Sequence, residues 1–177
     1  MYFVKDVEES LSIKGMKILN LDTFTDFRGD IWTLYSDCDF LPRFVEDKVS
    51  VSKKDVLRGL HGDSEISKLI LCLHGSIQVG VLDLRQGSST YGNTEMFILS
   101  DEVGRAIYVP AGCVHGHLCL SEKCVFFYKW SKVYNGHANQ VTVKWDDPSH
   151  NLDWKIKNPL LSSRDIEHAT SPEGIFL

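Results

Sequence analysis

The chain lacks a CxxC pair, an internal repeat, a low-complexity tract and any apolar run near the ~20 residues that a membrane-spanning helix requires. Its five cysteines (Cys38, Cys72, Cys113, Cys119, Cys124) are odd in number. That argues against a disulfide framework and for a reduced, cytoplasmic chain whose thiols are small core residues. An excess of positive charge is missing too: 19 Lys and Arg against 24 Asp and Glu leave −5. A nucleic acid or an anionic membrane would want the opposite sign, so neither is an expected partner. The opening residues, MYFVKDVEES, carry acids where a secretory leader has a basic start and an apolar stretch. Long segments with helical period are absent as well. The 177 residues, 43% hydrophobic and 24% charged, suffice for one domain with a substantial core. We therefore expect a single domain over residues 1–177, with 1–15 as an arm that docks on its body or on a second subunit.

What is present is a series of short β-rich runs broken by turn residues. MKILNLDTF (16–24) and IWTLYS (31–36) flank a turn at Gly29, and residues 44–52 alternate like a half-buried strand. Residues 68–73 and 77–84 are apolar enough for central strands, and 94–99, 105–109, 117–120, 125–130 and 141–145 continue the pattern. Many short strands at roughly 8–12-residue spacing predict an all-β antiparallel barrel or jelly roll. Near the end, Ser162-Ser163-Arg164-Asp165 has the form of a helix N-cap, which predicts a short C-terminal helical segment.

Two stretches carry the chemistry. Residues 104–116, GRAIYVPAGCVHG, have the spacing of the second half of a cupin β-barrel signature. Residues 56–75, VLRGLHGDSEISKLILCLHG, fall where the first half would supply metal ligands. There the signature's positions hold His61, Asp63, Lys68 and Gly75, so an ammonium group replaces a carboxylate ligand. His61, Asp63 and His115 are of ligand type, but a lysine among them repels a cation and offers only donors, so a metal is the less favoured reading. Asp63, two residues past His61, is expected on the same strand face. Tyr128, in the apolar run CVFFYKW, would add a phenol if it faces inward. Taken singly, a His near a turn, a Tyr among Phe residues or a Lys opening a strand is more often structural. Their joint occurrence at this spacing favours a site for His61, Lys68 and His115. A fixed ammonium stabilises an enolate, a neutral His removes a proton beside a carbonyl, and a phenol returns one from the opposite face. Together they describe epimerisation alpha to a ketone.

These residues also resemble the dTDP-4-dehydrorhamnose 3,5-epimerase family of nucleotide-sugar metabolism. The shared strings run in order from D-x-R-G at 26–29 through VLRGLH (56–61), Lys68, VLDLRQGSSTYG (81–92), VPAGCVHG (109–116), YK at 128–129 and WDDP (145–148) to LSSRD (161–165). The resemblance implies a cupin-type jelly-roll barrel that epimerises C3, C5 or both in a nucleotide-linked 4-keto sugar, without a cofactor. It implies His61 as general base with Asp165 as its carboxylate partner, Lys68 as enolate stabiliser and Tyr128 as general acid. Arg58, His115 and Tyr134 would line the sugar or diphosphate site, and Arg28 would approach the nucleotide across a homodimer interface. It also implies a place in surface-polysaccharide biosynthesis. Asp83 is left to partner a histidine or brace a turn.

The departures from the family's pattern cluster around the substrate rather than the proton-transfer groups. Asp63 stands where a Gln is usual, Glu46 and Lys48 where a Gln and an Asn are favoured, Phe27 where an acid is common, and His117 where an aromatic is usual. Asp63 and Glu46 are therefore candidate substrate-binding residues. A carboxylate that accepts paired N–H donors would suit guanine, and so a GDP-linked 4-keto sugar such as a heptose. The competing readings are a 3,4-ketoisomerase on a similar substrate, a metal-binding cupin and a non-catalytic sugar-binding barrel.

Overall fold

The computed structural model describes residues 3–134, 136 and 140–177. In chain order its strands are β1 (Val4–Glu9), β2 (Lys17–Leu21), β3 (Thr23–Asp26), β4 (Gly29–Trp32), β5 (Glu46–Lys53), β6 (Leu57–Gly62) and β7 (Lys68–His74). They continue as β8 (Ser76–Asp83), β9 (Thr94–Ser100), β10 (Arg105–Val109), β11 (Cys113–Cys119), β12 (Lys123–Trp130) and β13 (Val141–Thr142), and helix α1 spans Ser163–Glu167. One sheet has the order β1-β2-β10-β7-β12-β5 and the other β13-β6-β11-β8-β9, while β3 and β4 form a separate hairpin.

Alternation along the central strands decides what faces the interior. In β7, Leu69 and Leu71 pack outward under a layer that includes Phe3, Leu41 and Phe44. Ile70 and Cys72 point inward, and period 2 puts Lys68 on their side. In β11, Val114 and Leu118 face an outer cluster closed by Leu152 and Trp154. Cys113 and Cys119 face the interior, which by the same period takes His115 and His117 with it. Ile77, Val79 and Val81 of β8 meet Ile107, Val109 and Phe126 of the opposite sheet in the interior core. Both faces of these strands are covered, so they read as near-continuous apolar runs.

One strand breaks the period. His61 of β6 is opposite His115 of β11, but His117 is opposite Arg58, so three residues of β6 span two of β11. The extra residue sits at Gly59-Leu60 as a bulge. It lets Arg58 and His61, an odd number of residues apart, face the same way while Leu57 and Leu60 stay in the outer cluster. The bulge needs glycine. Gly59 has φ +128°, and a Cβ there would lie 2.5 Å from Gly116 Cα and 2.8 Å from the His115 carbonyl oxygen.

The sequence expectations hold for the all-β architecture and the short C-terminal helix, with differences of detail. Residues 4–9 of the expected arm form β1, paired with β2. The run 16–24 splits between β2 and β3, and 141–145 shortens to a two-residue strand. β6, which carries its polar residues inward across a bulge, shows no clean alternation, and the strand expected to hold both His61 and Asp63 ends at Gly62. The tail is tied to it: Leu57 N–H donates to the Leu160 carbonyl (3.1 Å) and Leu160 N–H to the Asp55 carbonyl (2.8 Å). Four of the five cysteines are buried, and all five are unpaired. Asp83 braces a turn, as one of its two expected roles, accepting from Arg85, Ser88 and Thr90 side chains. No helix among the described residues is long and apolar enough to cross a membrane.

The bulge yields a stability prediction. Gly87→Ala, where φ is +74° but nothing lies within 4 Å, should cost only the left-handed backbone penalty of about 1–2 kcal/mol, roughly 2–8 °C in melting temperature. Gly59→Ala must also push β6 off β11 and should cost at least about 4 kcal/mol. Thermal unfolding of the two variants side by side checks this, and equal losses would contradict it.

Candidate functional site

Between the sheets, next to the interior apolar core, lies a cavity of about 340 Å³. His61, at the end of β6, projects into it from the five-stranded sheet. Its Nε2 lies 2.6 Å from Asp165 Oδ1. Asp165 reaches this position because the tail runs beside β6 and then turns into α1. Ser162 caps that helix, accepting the Asp165 N–H (3.2 Å) while its own hydroxyl donates to Asp165 Oδ2 (2.8 Å). Burial works against the Asp165 carboxylate, but the hydrogen bond and charge of His61, with help from Ser162 and Arg164, hold its pKa below the ordinary value. An ionised Asp165 accepts, so the neutral form of His61 has its proton on Nε2 and its lone pair on Nδ1.

The six-stranded sheet supplies the opposite wall. Phe126, Tyr128 and Trp130 alternate inward along β12, with ring centroids 5.0 and 5.7 Å apart in sequence. Burial raises the Tyr128 pKa, only partly offset by the charges of Lys48 and Arg58, so the phenol stays protonated near neutrality. Lys68 opens β7 yet is only 3% exposed, its Nζ 5.0 Å from the centre of the Trp130 ring. Burial depresses its pKa to about 8; Asp63 works against the shift and Arg164 adds to it.

His115 and His117 line the cavity from β11. Burial, reinforced by Lys68, His117 and His61, pushes His115 well below the usual range. Burial, with Arg58 and His61, brings His117 to about 3. Both are neutral imidazoles at working pH. Five of the lining side chains hold a buried polar atom without a protein partner among the described residues: Ser50 Oγ, His115 Nδ1, His117 Nε2, Trp130 Nε1 and one terminal nitrogen of Arg164. Buried polar groups are normally satisfied, so this concentration marks a place built to receive hydrogen-bonding groups. The lining carries the cations Lys48, Arg58, Lys68 and Arg164 against the single acid Asp165, a balance that favours an anionic guest.

Of the residues singled out from sequence, Arg58, His61, Lys68, His115, Tyr128, Tyr134 and Asp165 all line this cavity. Asp63 does not share the face of His61, because β6 ends at Gly62 and the chain turns there. Its Oδ1 accepts the N–H groups of Glu65 (2.9 Å) and Ile66 (2.7 Å), and its Oδ2 accepts from Gln140 (3.3 Å). It builds the turn that delivers Lys68, on the edge of a neighbouring cavity. Glu46 holds Lys48 (2.5 Å) and the Tyr134 N–H (2.7 Å) and is not part of the lining. Arg28 stands at the tip of the β3–β4 hairpin, paired with Asp26, and does not line the cavity. Arg164 and Lys48 line the cavity as well, Lys48 having stood out in the sequence only as a departure from the family's pattern. Arg164 gave no signal beyond its place beside Asp165; its Nε donates to Thr142 Oγ1 (2.8 Å). His117 stood out only as a departure, although period 2 from His115 was a usable sign. Among the described residues no group of three His, Cys, Asp or Glu side chains is placed to hold a metal ion.

Comparison with known proteins agrees with this geometry. A family model described as dTDP-4-dehydrorhamnose 3,5-epimerase matches residues 10–173. The protein of that name from Methanothermobacter thermautotrophicus is 35% identical over 153 residues, 82% of each chain. A crystal structure of the Elizabethkingia anophelis dTDP-4-dehydrorhamnose 3,5-epimerase superposes with a TM-score of 0.87 at 31% identity, over 99% of this chain and 100% of that one. The Legionella pneumophila dTDP-6-deoxy-D-glucose-3,5-epimerase, solved in complex with dTDP-4-keto-L-rhamnose, gives 0.88 at 30% identity, over 96% and 94%. Fold, cavity and sequence thus lead to one assignment: this chain belongs to the dTDP-4-dehydrorhamnose 3,5-epimerase family.

Proposed function

We propose that the chain is an isomerase that inverts C3, C5 or both in a nucleotide-linked 4-keto sugar. The observation that carries this is the placement of His61, held by Asp165, on one wall of the cavity and of the protonated Tyr128 on the other. A sugar ring lying between them presents one face to each. His61 Nδ1 takes the proton from the carbon next to the C4 ketone. The bonding pair moves into the carbonyl, and the oxygen becomes an enolate. Lys68, a buried ammonium, stabilises that negative charge where water cannot screen it. Tyr128 then delivers its proton to the same carbon from the other face, and exchange with solvent resets both groups. Arg58, His115 and Tyr134 hold the sugar and diphosphate. Asp63 and Glu46 have their oxygens committed within the protein, so neither supports the guanine contact expected of it.

We also infer a cytoplasmic homodimer. Five unpaired cysteines suit a reducing compartment. The β3–β4 hairpin exposes Phe24, Phe27 and Ile31, 64%, 98% and 68% accessible, a large apolar display for a lone hairpin. Covered by a second copy, it would bring Arg28 to the partner's substrate.

Incubation with NDP-4-keto sugars in deuterated water should introduce deuterium at the inverted carbons, read by NMR. His61→Asn should lower the rate about 10²–10⁴-fold. Tyr128→Phe should still exchange but invert far more slowly, because the proton returns to the face it left. Normal exchange in the His61 variant would reject the assignment, and a migrated carbonyl in the product would identify a ketoisomerase.

Lys68 supplies a pH prediction. Its charge is required, so kcat/KM should fall as pH rises through about 8. Unfolded, the same lysine keeps its proton to about 10.4. Between these values the unfolded state binds more protons, and the contribution of this group to stability rises with pH. At pH 7 the folded protein bears the burial cost in full. Lys68→Met should abolish turnover yet raise the melting temperature at pH 7, by an amount on the order of 3 kcal/mol or less. A destabilised Met variant would overturn this.

Sedimentation should give twice the 20.1 kDa chain mass, and Phe27→Asp with Ile31→Asp should shift the protein toward monomer and reduce activity. A monomeric, fully active wild type would refute the dimer.

A further inference from the structure

The mechanism above does not use every polar atom in the cavity. Ser50 of β5 and Phe126 of β12 are directly opposite in register. The His117 ring lies flat on Phe126, with centroids 4.1 Å apart and planes 13° from parallel. Arg58 is the register partner of His117. These four make one layer of the cavity, and His61, His115 and Tyr128 make the next. Two residues along a strand separate the layers, about 6–7 Å.

In that layer two atoms stand out. His117 is 4% exposed, and its Nε2 has no partner among the described residues. Ser50 Oγ, on the facing sheet, is buried and unpartnered in the same way. Arg58 is partly engaged, its Nε donating to Ser52 Oγ (3.0 Å). A methyl group against this layer would leave an imidazole nitrogen and a hydroxyl desolvated and unmatched. A hydroxyl donates and accepts at once, and so complements either tautomer of a neutral imidazole together with a serine. A diphosphate is a poorer fit, since an uncharged imidazole adds little to its binding, whereas Lys48 and Arg58 line the same cavity and carry the charge for it.

We propose that His117 and Ser50 form a subsite for a hydroxyl on the side chain of the sugar, one layer away from the carbon that exchanges its proton. The preferred substrate is then a 4-keto sugar with a hydroxylated side chain rather than a 6-deoxy sugar ending in a methyl group. This rests on the epimerase reading above and narrows its substrate class.

The test compares two 4-keto sugars on the same nucleoside diphosphate, one with a methyl and one with a hydroxymethyl side chain. Solvent-deuterium incorporation gives kcat/KM for each, for the wild type, His117→Phe and Ser50→Ala. The wild type should prefer the hydroxylated sugar by about 10- to 100-fold. His117→Phe should shrink that ratio at least tenfold, and Ser50→Ala several-fold; if the Phe variant does not fold, the serine variant carries the comparison. Preference of the wild type for the methyl sugar, or a ratio unmoved by either substitution, would overturn the subsite and leave the epimerase reading intact. Weaker binding of the nucleoside diphosphate alone in either variant would assign the layer to the diphosphate and likewise overturn the subsite. No exchange with either sugar on any nucleotide would overturn the epimerase reading and the subsite with it.

Discussion

The contact on which the rest depends is the close approach of β6 to β11 at Gly59 and Gly116. Two backbones meet there with no room for a side chain, and the extra residue of β6 is absorbed as a bulge. Without it, period 2 would send either Arg58 or His61 to the outer face. With it, Leu57 and Leu60 remain in the apolar layer under Leu152 and Trp154 while both polar side chains face the cavity. The same strand then anchors the tail through Leu160, and the tail delivers Asp165 to His61. One backbone irregularity therefore positions Arg58, His61 and the carboxylate of Asp165 that holds His61.

Burial does the electrostatic tuning. The interior is one continuous space whose far part is filled by Ile70, Val79, Val81 and Ile107 and whose near part is the cavity. Low polarability there keeps His115 and His117 neutral, keeps Tyr128 protonated and brings Lys68 within reach of neutral pH. Asp165 is the exception, and it stays ionised because three partners converge on it. A buried ammonium beside neutral donors, in a lining whose other charges are mainly positive, is suited to a transition state that develops negative charge on oxygen.

Much of this was legible in the sequence, for physical reasons that also mark where legibility stops. Strands such as β8 and β11 are buried on both faces, and their apolar runs announce them. Lys68 was conspicuous because a cation replaced an expected ligand, and Asp165 because Ser162 caps its helix. The family resemblance added Tyr128, and spacing brought His61 and His115 to one cavity. It misled at Asp63, because a two-residue step implies a shared face only while the strand continues, and β6 ends one residue earlier. It was silent on Arg164 and Lys48, whose approach to the cavity depends on how the tail and the edge strand close over it. Glu46 looked like a ligand for substrate and proved to be a brace for Lys48 and Tyr134.

The division of the chemistry between two sheets has a consequence for how the site tolerates change. His61 and its carboxylate belong to the five-stranded side, Tyr128 and Lys68 to the six-stranded side. Their separation is set by apolar side chains between the sheets such as Val79 and Ile107, which do not line the cavity. A methylene removed from Val79 or Ile107 loses a modest amount of packing energy, typically about 0.5–1.5 kcal/mol for a change such as Ile to Val. The same change lets the walls move by a fraction of an ångström, and proton transfer between a substrate carbon and a fixed base or acid is steep in distance. On the proposed mechanism exchange already draws on both walls, His61 from one and Lys68 from the other, and inversion adds Tyr128. Loosening the core should therefore slow exchange and inversion before it unfolds the barrel, which makes the apolar core a component of the reaction geometry as much as of the stability.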